Sequence, residues 1–279
     1  MRGILKCALF IALEYIGINA FFRFCNRGKI KVLMYHSISP PGPFFNNAVP
    51  ESSFIRQLNY LSKHYAILKL SQDGQFSGYA PKKVNVLLTF DDGFRDNYTT
   101  ASLILSRLGL SGVFFVIAEC LQNGSPPLFI KSRLGQLPET NAYRTLTSSE
   151  AQEMIRMGMT IGSHGQHHSD YTKVTFEDGM KDALDSKSHI EKEVGMPVEL
   201  FAFPWGKYQE RHLVELMSAY RRIFTTHHGF NSRDDFVFHR NEIANTPHLW
   251  CATSGALDFL IGLFSVPFGI NMKKAGKLK

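Results

Sequence analysis

Asp91 and Asp92 stand side by side at the end of an apolar run, residues 84–90, and a glycine follows them. Adjacent carboxylates repel unless a cation neutralises one of them. A divalent metal on one aspartate removes that conflict and leaves the other beside bound water, placed to take its proton as general base. His164, His167 and His168 lie close together at the end of a second apolar stretch. Hydrolytic metal sites use two imidazoles and a carboxylate, with positions left open for water. Asp92, His164 and His168 can supply that set, and His167 offers a second spacing. Taken alone, Asp-Asp-Gly reads as a turn after a strand, and single histidines are mostly surface or satisfied core residues. The conjunction favours the metal reading.

The elements that must hold these residues alternate between short β-type runs and amphipathic helices. Residues 32–35 read as a strand ending at His36, residues 84–90 as a strand ending at the aspartates, and residues 113–117 as another buried strand. Residues 54–61 and 99–108 have helical spacing, and 123–141 is turn-rich and reads as an insertion or loop. Thr147 with Glu150 forms a capping box for a helix ending at Gly158. Thr175 with Asp178 opens a longer helix that ends at Gly195. A strand near 159–161 leads to the histidines, one at 200–203 leads to Pro204-Trp205-Gly206, a helix follows over 211–220, and a last strand is expected at 222–225. Strand-then-helix order predicts a parallel sheet, open or closed into a barrel. In such folds the chemistry sits at the carboxyl ends of strands, where His36, the aspartates, the histidines and Pro204-Trp205-Gly206 all fall.

At 279 residues the chain fits one large domain with short appendages. Its 31 basic and 24 acidic residues give a net charge of +7, and the excess crowds both ends. Basic ends beside apolar segments point to an anionic membrane surface, and no nucleic-acid-binding pattern is present. Residues 4–24 are apolar but interrupted by Lys6, Glu14 and Asn19, so they read either as a spanning helix or as one lying in the interface. No cleavage site follows them, and if they span, the basic residues after them would keep the main domain on the cytoplasmic face. Residues 257–270 are apolar, broken by Pro267 and followed by lysines; a docked final helix and a second membrane contact are both compatible. Cys7, Cys25, Cys120 and Cys251 are scattered and read as free thiols. The expected organisation is a membrane-associated segment at 1–30, a catalytic domain at 31–250, and an apolar, then basic tail at 251–279.

The ordered motifs TFDDG (89–93), SHGQHH (163–168) and FPWG (203–206) resemble the polysaccharide deacetylase family, carbohydrate esterase family four, with its NodB-like domain. The resemblance covers roughly residues 31–240. It implies a distorted (β/α) barrel of about seven parallel strands, here flanked by apolar terminal segments, that removes N-acetyl groups from amino sugars with a divalent metal. Asp91 would be the catalytic base, with Asp92, His164 and His168 as metal ligands and His167 a bystander. Pro204, Trp205 and Gly206 would form the groove wall, whose backbone could help hold an oxyanion. The metal would be zinc by preference, with cobalt, nickel or iron compatible. The family's arginine two residues before the motif proline is replaced by Ala202, and Arg240 is a candidate substitute. No clean counterpart of the late Leu-x-His motif is found among His212, His239 and His248. The early MYHSI (34–38) resembles a branch in which that histidine is the acid, which points to His36. The expected partners are an N-acetylated glycan or glycolipid and a membrane surface. A hydrolase of another C–N bond and a non-catalytic sugar-binding protein are the competing readings.

Overall fold

The computed structural model describes residues 17–40, 47–134 and 143–243. The strands are β1 (Ile30–Tyr35), β2 (Ala66–Ile67), β3 (Lys69–Leu70), β4 (Phe76–Ser77), β5 (Asn85–Phe90), β6 (Val113–Val116), β7 (Thr160–Ser163), β8 (Leu200–Ala202), β9 (Arg222–Phe224), β10 (Val237–Phe238) and β11 (Arg240–Glu242). The main sheet runs β10-β9-β8-β7-β6-β5-β1-β11, and every pairing in it is parallel. β2 joins the first half of β5, and β3 and β4 form a small antiparallel pair of their own. The strands at the two ends of the main order, β10 and β11, are separated in the chain by His239 alone. One stretch of backbone therefore pairs with β9 on one side and β1 on the other, nearly closing the sheet into a barrel. Counted as one, β10 and β11 make seven barrel positions.

The strands are apolar on both faces because both are covered, as parallel sheets require. Alternate residues of each strand belong to different clusters. Val32, Leu87, Phe115, Leu200 and Phe224 pack with one another and with no helix, which makes them the barrel interior. Leu33, Leu88, Phe114, Ile161 and Phe201 pack against helix residues such as Phe54, Leu58, Met154 and Ile190, which makes them the outer layer.

The legible caps are formed. Thr147 and Glu150 make both halves of the capping box on the helix Ser148–Arg156. Thr175 caps Phe176–Val194, which ends at a left-handed Gly195. Three expectations need correction. The turn-rich stretch at 123–141 contains a helix, Leu128–Leu134, and the helix expected over 211–220 is Glu210–Leu216. The strand at 222–225 is not the last, since β10 and β11 follow it. Their sequence Val-Phe-His-Arg-Asn-Glu lacks an apolar alternation because Arg240 and Glu242 take the inward register positions, opposite Val32 and Met34.

Of the apolar N-terminal stretch, residues 17–24 are described; they belong to the helix Ile18–Cys25 and the turn before it. Residues 4–16 and the tail at 251–279 lie outside the described residues, as do Cys7, Cys251 and His248. Cys25 and Cys120 are free thiols. Among the described residues, no helix is long and apolar enough to cross a membrane.

Candidate active site

β5 delivers the two aspartates, and the backbone separates them. Asp91 continues the ladder, its N–H donating to Tyr35 O at 2.9 Å. Asp92 and Gly93 then both adopt positive φ, 68° and 61°. A Cβ at Gly93 would meet Val116 Cγ1 at 3.0 Å, so the turn needs glycine there for space as well as for its dihedral. The two carboxylates consequently face different partners. Asp91 is held by a forked pair from Arg240, Nη1 to Oδ1 at 2.5 Å and Nη2 to Oδ2 at 2.8 Å. Arg240 is fully buried and also donates from Nε to Thr225 O at 3.1 Å. Burial pushes the Asp91 carboxyl up, but the Arg240 guanidinium outweighs it and holds Asp91 below the usual carboxylate range.

Asp92 turns instead toward the histidines. Its Oδ1 lies 3.1 Å from His168 Nε2 and 3.6 Å from His164 Nε2. His164 Nδ1 lies 2.8 Å from the carbonyl of Ala202, which can only accept, so the proton sits on Nδ1 and Nε2 keeps its lone pair. Burial pushes His164 down to about 4, so this ring is neutral near pH 7. A lone pair aimed at two carboxylates is an arrangement that a cation resolves. His168 has a second signal, a buried Nδ1 with no protein partner. Ligand atoms of Asp92, His164 and His168 lie within 4.8 Å of one another, and all three residues are buried. A borderline nitrogen-nitrogen-oxygen donor set of this size fits a divalent transition metal.

His168 is held by a loop rather than a strand, and an acidic residue from the helix Phe176–Val194 organises it. Asp182 Oδ2 accepts from Gln166 N–H (2.8 Å) and Tyr171 O–H (2.8 Å), while Oδ1 accepts from His167 N–H (3.2 Å) and Ser169 O–H (3.1 Å). Those four bonds use the full accepting capacity of a carboxylate. An amide has one accepting oxygen, so Asp182→Asn leaves two of these donors without an acceptor and is expected to destabilise the fold by about 1–3 kcal/mol, read as a lower urea midpoint.

The mouth is lined by Met34, His36, Asn47, Phe129, Ile130, Trp205, Thr226, His228 and Glu242 around a cavity of about 490 Å³. Trp205 takes φ 59° in the Pro204–Gly206 turn and donates from Nε1 to His168 O at 3.2 Å. Its ring meets Phe129 edge-on at 5.2 Å and His168 at 4.6 Å. Gly206, at φ 64°, cannot carry a Cβ, which would fall 2.0 Å from Thr226 Oγ1. The Gly206 N–H is committed to Phe203 O at 3.0 Å and Pro204 has none, so neither can donate to an oxyanion.

His36 follows β1. The Asn47 amide nitrogen lies 2.9 Å from both His36 Nδ1 and Glu242 Oε1. An amide NH₂ only donates, so Nδ1 accepts and the proton of neutral His36 sits on Nε2. Asp92, His168 and Trp205 are the non-glycine residues with positive φ among the described residues. Backbone strain, of order 1–3 kcal/mol at each such residue, is thus confined to the site.

The other histidines lie apart. His167 is turned outward to Glu119 (2.6 Å), His212 is buried against Gly179 and Phe176, and His239 faces Thr225 and His227. No motif or periodicity points to Asn47, Phe129, Ile130, His228 or Glu242, which come from loops, a helix and β11 and depend on the closed barrel to meet.

A family model described as polysaccharide deacetylase matches residues 78–221. YxkH of Bacillus subtilis (strain 168) is 26% identical over 237 residues, covering 82% of this chain and 75% of that protein. The same organism's peptidoglycan-N-acetylmuramic acid deacetylase PdaA is 28% identical over 183 residues, 64% of this chain and 57% of PdaA. Among solved structures, the Streptococcus pyogenes deacetylase PplD in complex with acetate superposes with a TM-score of 0.63 at 25% identity, covering 81% of this chain and 98% of that one. His36, which lines the cavity, and Arg240, buried behind Asp91, lie outside the matched residues, so their placement comes from the geometry alone.

Proposed function

Because the chain belongs to the polysaccharide deacetylase family, we propose that it removes N-acetyl groups from amino sugars of a glycan by metal-dependent hydrolysis. The observation that carries this reading is the split aspartate pair, with Asp91 forked onto buried Arg240 and Asp92 turned to His164 and His168. A divalent cation held by Asp92, His164 and His168, zinc by preference, supplies Lewis acidity toward the acetamide oxygen. Asp91, kept ionised by Arg240, takes the proton of the attacking water. His36 returns a proton to the departing amine. Trp205 and Phe129 form an apolar wall against which a sugar ring can stack.

The apolar, basic-flanked stretch at residues 4–24 supports attachment to a membrane surface, with the domain on the cytoplasmic side and a polymeric or lipid-linked glycan as substrate. The test is metal analysis of the purified protein, with acetate release measured on membrane-extracted glycolipids and on N-acetylglucosamine oligomers. Bound metal with acetate from either supports the proposal. Bound metal with acetate from neither favours another C–N bond or a binding role.

A further inference from the structure

The end of the barrel opposite the catalytic mouth carries a connected patch of exposed aromatic and basic groups. The helix Ile18–Cys25 leads into β1 through residues 26–29, which sets it at the N-terminal ends of the strands. There Arg23 Nη1 donates to Tyr60 Oη at 2.9 Å. Phe21 and Phe24, three apart and therefore on one side of the helix, are 62% and 58% exposed. The Arg27 guanidinium lies 4.1 Å over the Phe24 ring. From Arg27 the surface continues without a break. Gly28 N–H donates to Lys83 O at 2.8 Å, Tyr79 O–H donates to Gly28 O at 2.7 Å, and the Arg233 guanidinium sits 5.4 Å over the Tyr79 ring. Arg27, Lys29, Lys83 and Arg233 are all exposed, and the exposed Asp234 is the acid adjoining Arg233 in the chain.

Exposed phenylalanines ringed by cations match an anionic bilayer, with the rings at the acyl boundary and the cations at the headgroups. The chain outside the described residues supports the same occupant, because its N-terminal part is apolar, carries Arg2 and Lys6, and joins the structure at this helix. We infer that this patch seats the barrel on an anionic phospholipid surface with the catalytic mouth pointing away from it. The inference rests on the membrane attachment proposed above and not on the chemistry of the site. β1 alone, with its six residues, spans about 20 Å between the patch and the mouth. The acetylated sugar is therefore presented by a glycan reaching out from the surface, several sugars long, and not by a sugar held at the headgroups.

The full chain has two tryptophans, Trp205 and Trp250. Trp250→Phe leaves Trp205, 44% exposed at the mouth, as the sole indole. This variant would be bound to phosphatidylglycerol vesicles containing a nitroxide-labelled lipid. Trp205 emission is expected to stay unquenched, whereas Phe24→Trp in the same background is expected to add a quenched component. Phe21→Ser with Phe24→Ser should weaken vesicle partition roughly tenfold, and Lys83→Gln about fivefold at low salt. Quenched Trp205 beside an unquenched Phe24→Trp variant would turn the mouth to the lipid and overturn the orientation alone. Absence of vesicle binding would remove the orientation and the membrane attachment together, leaving the deacetylase reading to its own assay.

Discussion

Asp91→Asn is expected to lower deacetylation by about 10²–10⁴-fold, the range attributed to a positioned general base, while metal content stays at the wild-type level. The substitution changes no volume and leaves Asp92, His164 and His168 in place, so metal retention isolates the proton-transfer role. It also leaves Arg240 buried opposite a neutral amide, so a lower melting temperature should accompany the loss of turnover. Activity must therefore be measured well below that temperature, with circular dichroism as the check on folding. An Asn variant with near-normal turnover would sink the base assignment. Loss of metal would instead make Asp91 part of the binding set.

Arg240→Met is expected to cost about 3–5 kcal/mol of stability at neutral pH, because it leaves the Asp91 carboxylate buried without its partner. The sign with pH follows from the depressed Asp91 value. In the parent protein this pairing contributes stability above the carboxyl's unfolded pKa, and the contribution is lost as pH falls through the lower folded value. In the variant, burial acts unopposed by the guanidinium and the Asp91 pKa rises. The gap between the two proteins should thus narrow as the medium is acidified, and the acid limb of the variant's rate profile should move to higher pH. Urea titrations across a pH series, with rates on the same samples, measure both. A gap that stays constant down to acid pH would mean that Arg240 matters by packing alone, for instance over the Phe115 ring at 5.4 Å.

Much of this site is legible in the sequence because strand ends advertise themselves. An apolar run that stops at a charged or imidazole side chain identifies Asp91, Asp92, His164 and His36 as neighbours once a parallel sheet is inferred. Helix caps at Thr147 and Thr175 are equally legible, because they depend on residues three apart in the chain. What escapes is whatever depends on closure. β11 carries Arg240 and Glu242 toward the site, and periodicity has no access to polar groups that face inward. Asn47 and Glu242 are far apart in the chain yet meet at His36. Positive φ at Trp205 is equally hidden, since so bulky a residue rarely adopts it. The glycines are the partial exception: Gly93 and Gly206 follow strained residues and leave a trace of them.

The single-residue joint at His239 has a consequence for how this chain can vary in length. Other junctions in the barrel are loops and helices that tolerate additions. Between β10 and β11, a one-residue insertion would reverse which way every following side chain points. Arg240 would swing from the interior to the outer layer, away from Asp91, and β11 would lose its match with Val32, Leu33 and Met34. Spacing here is fixed twice over, by the closing of the barrel and by the charge that pairs with Asp91. Relatives that place their arginine elsewhere are free of the second constraint, and this stretch is where their lengths can diverge.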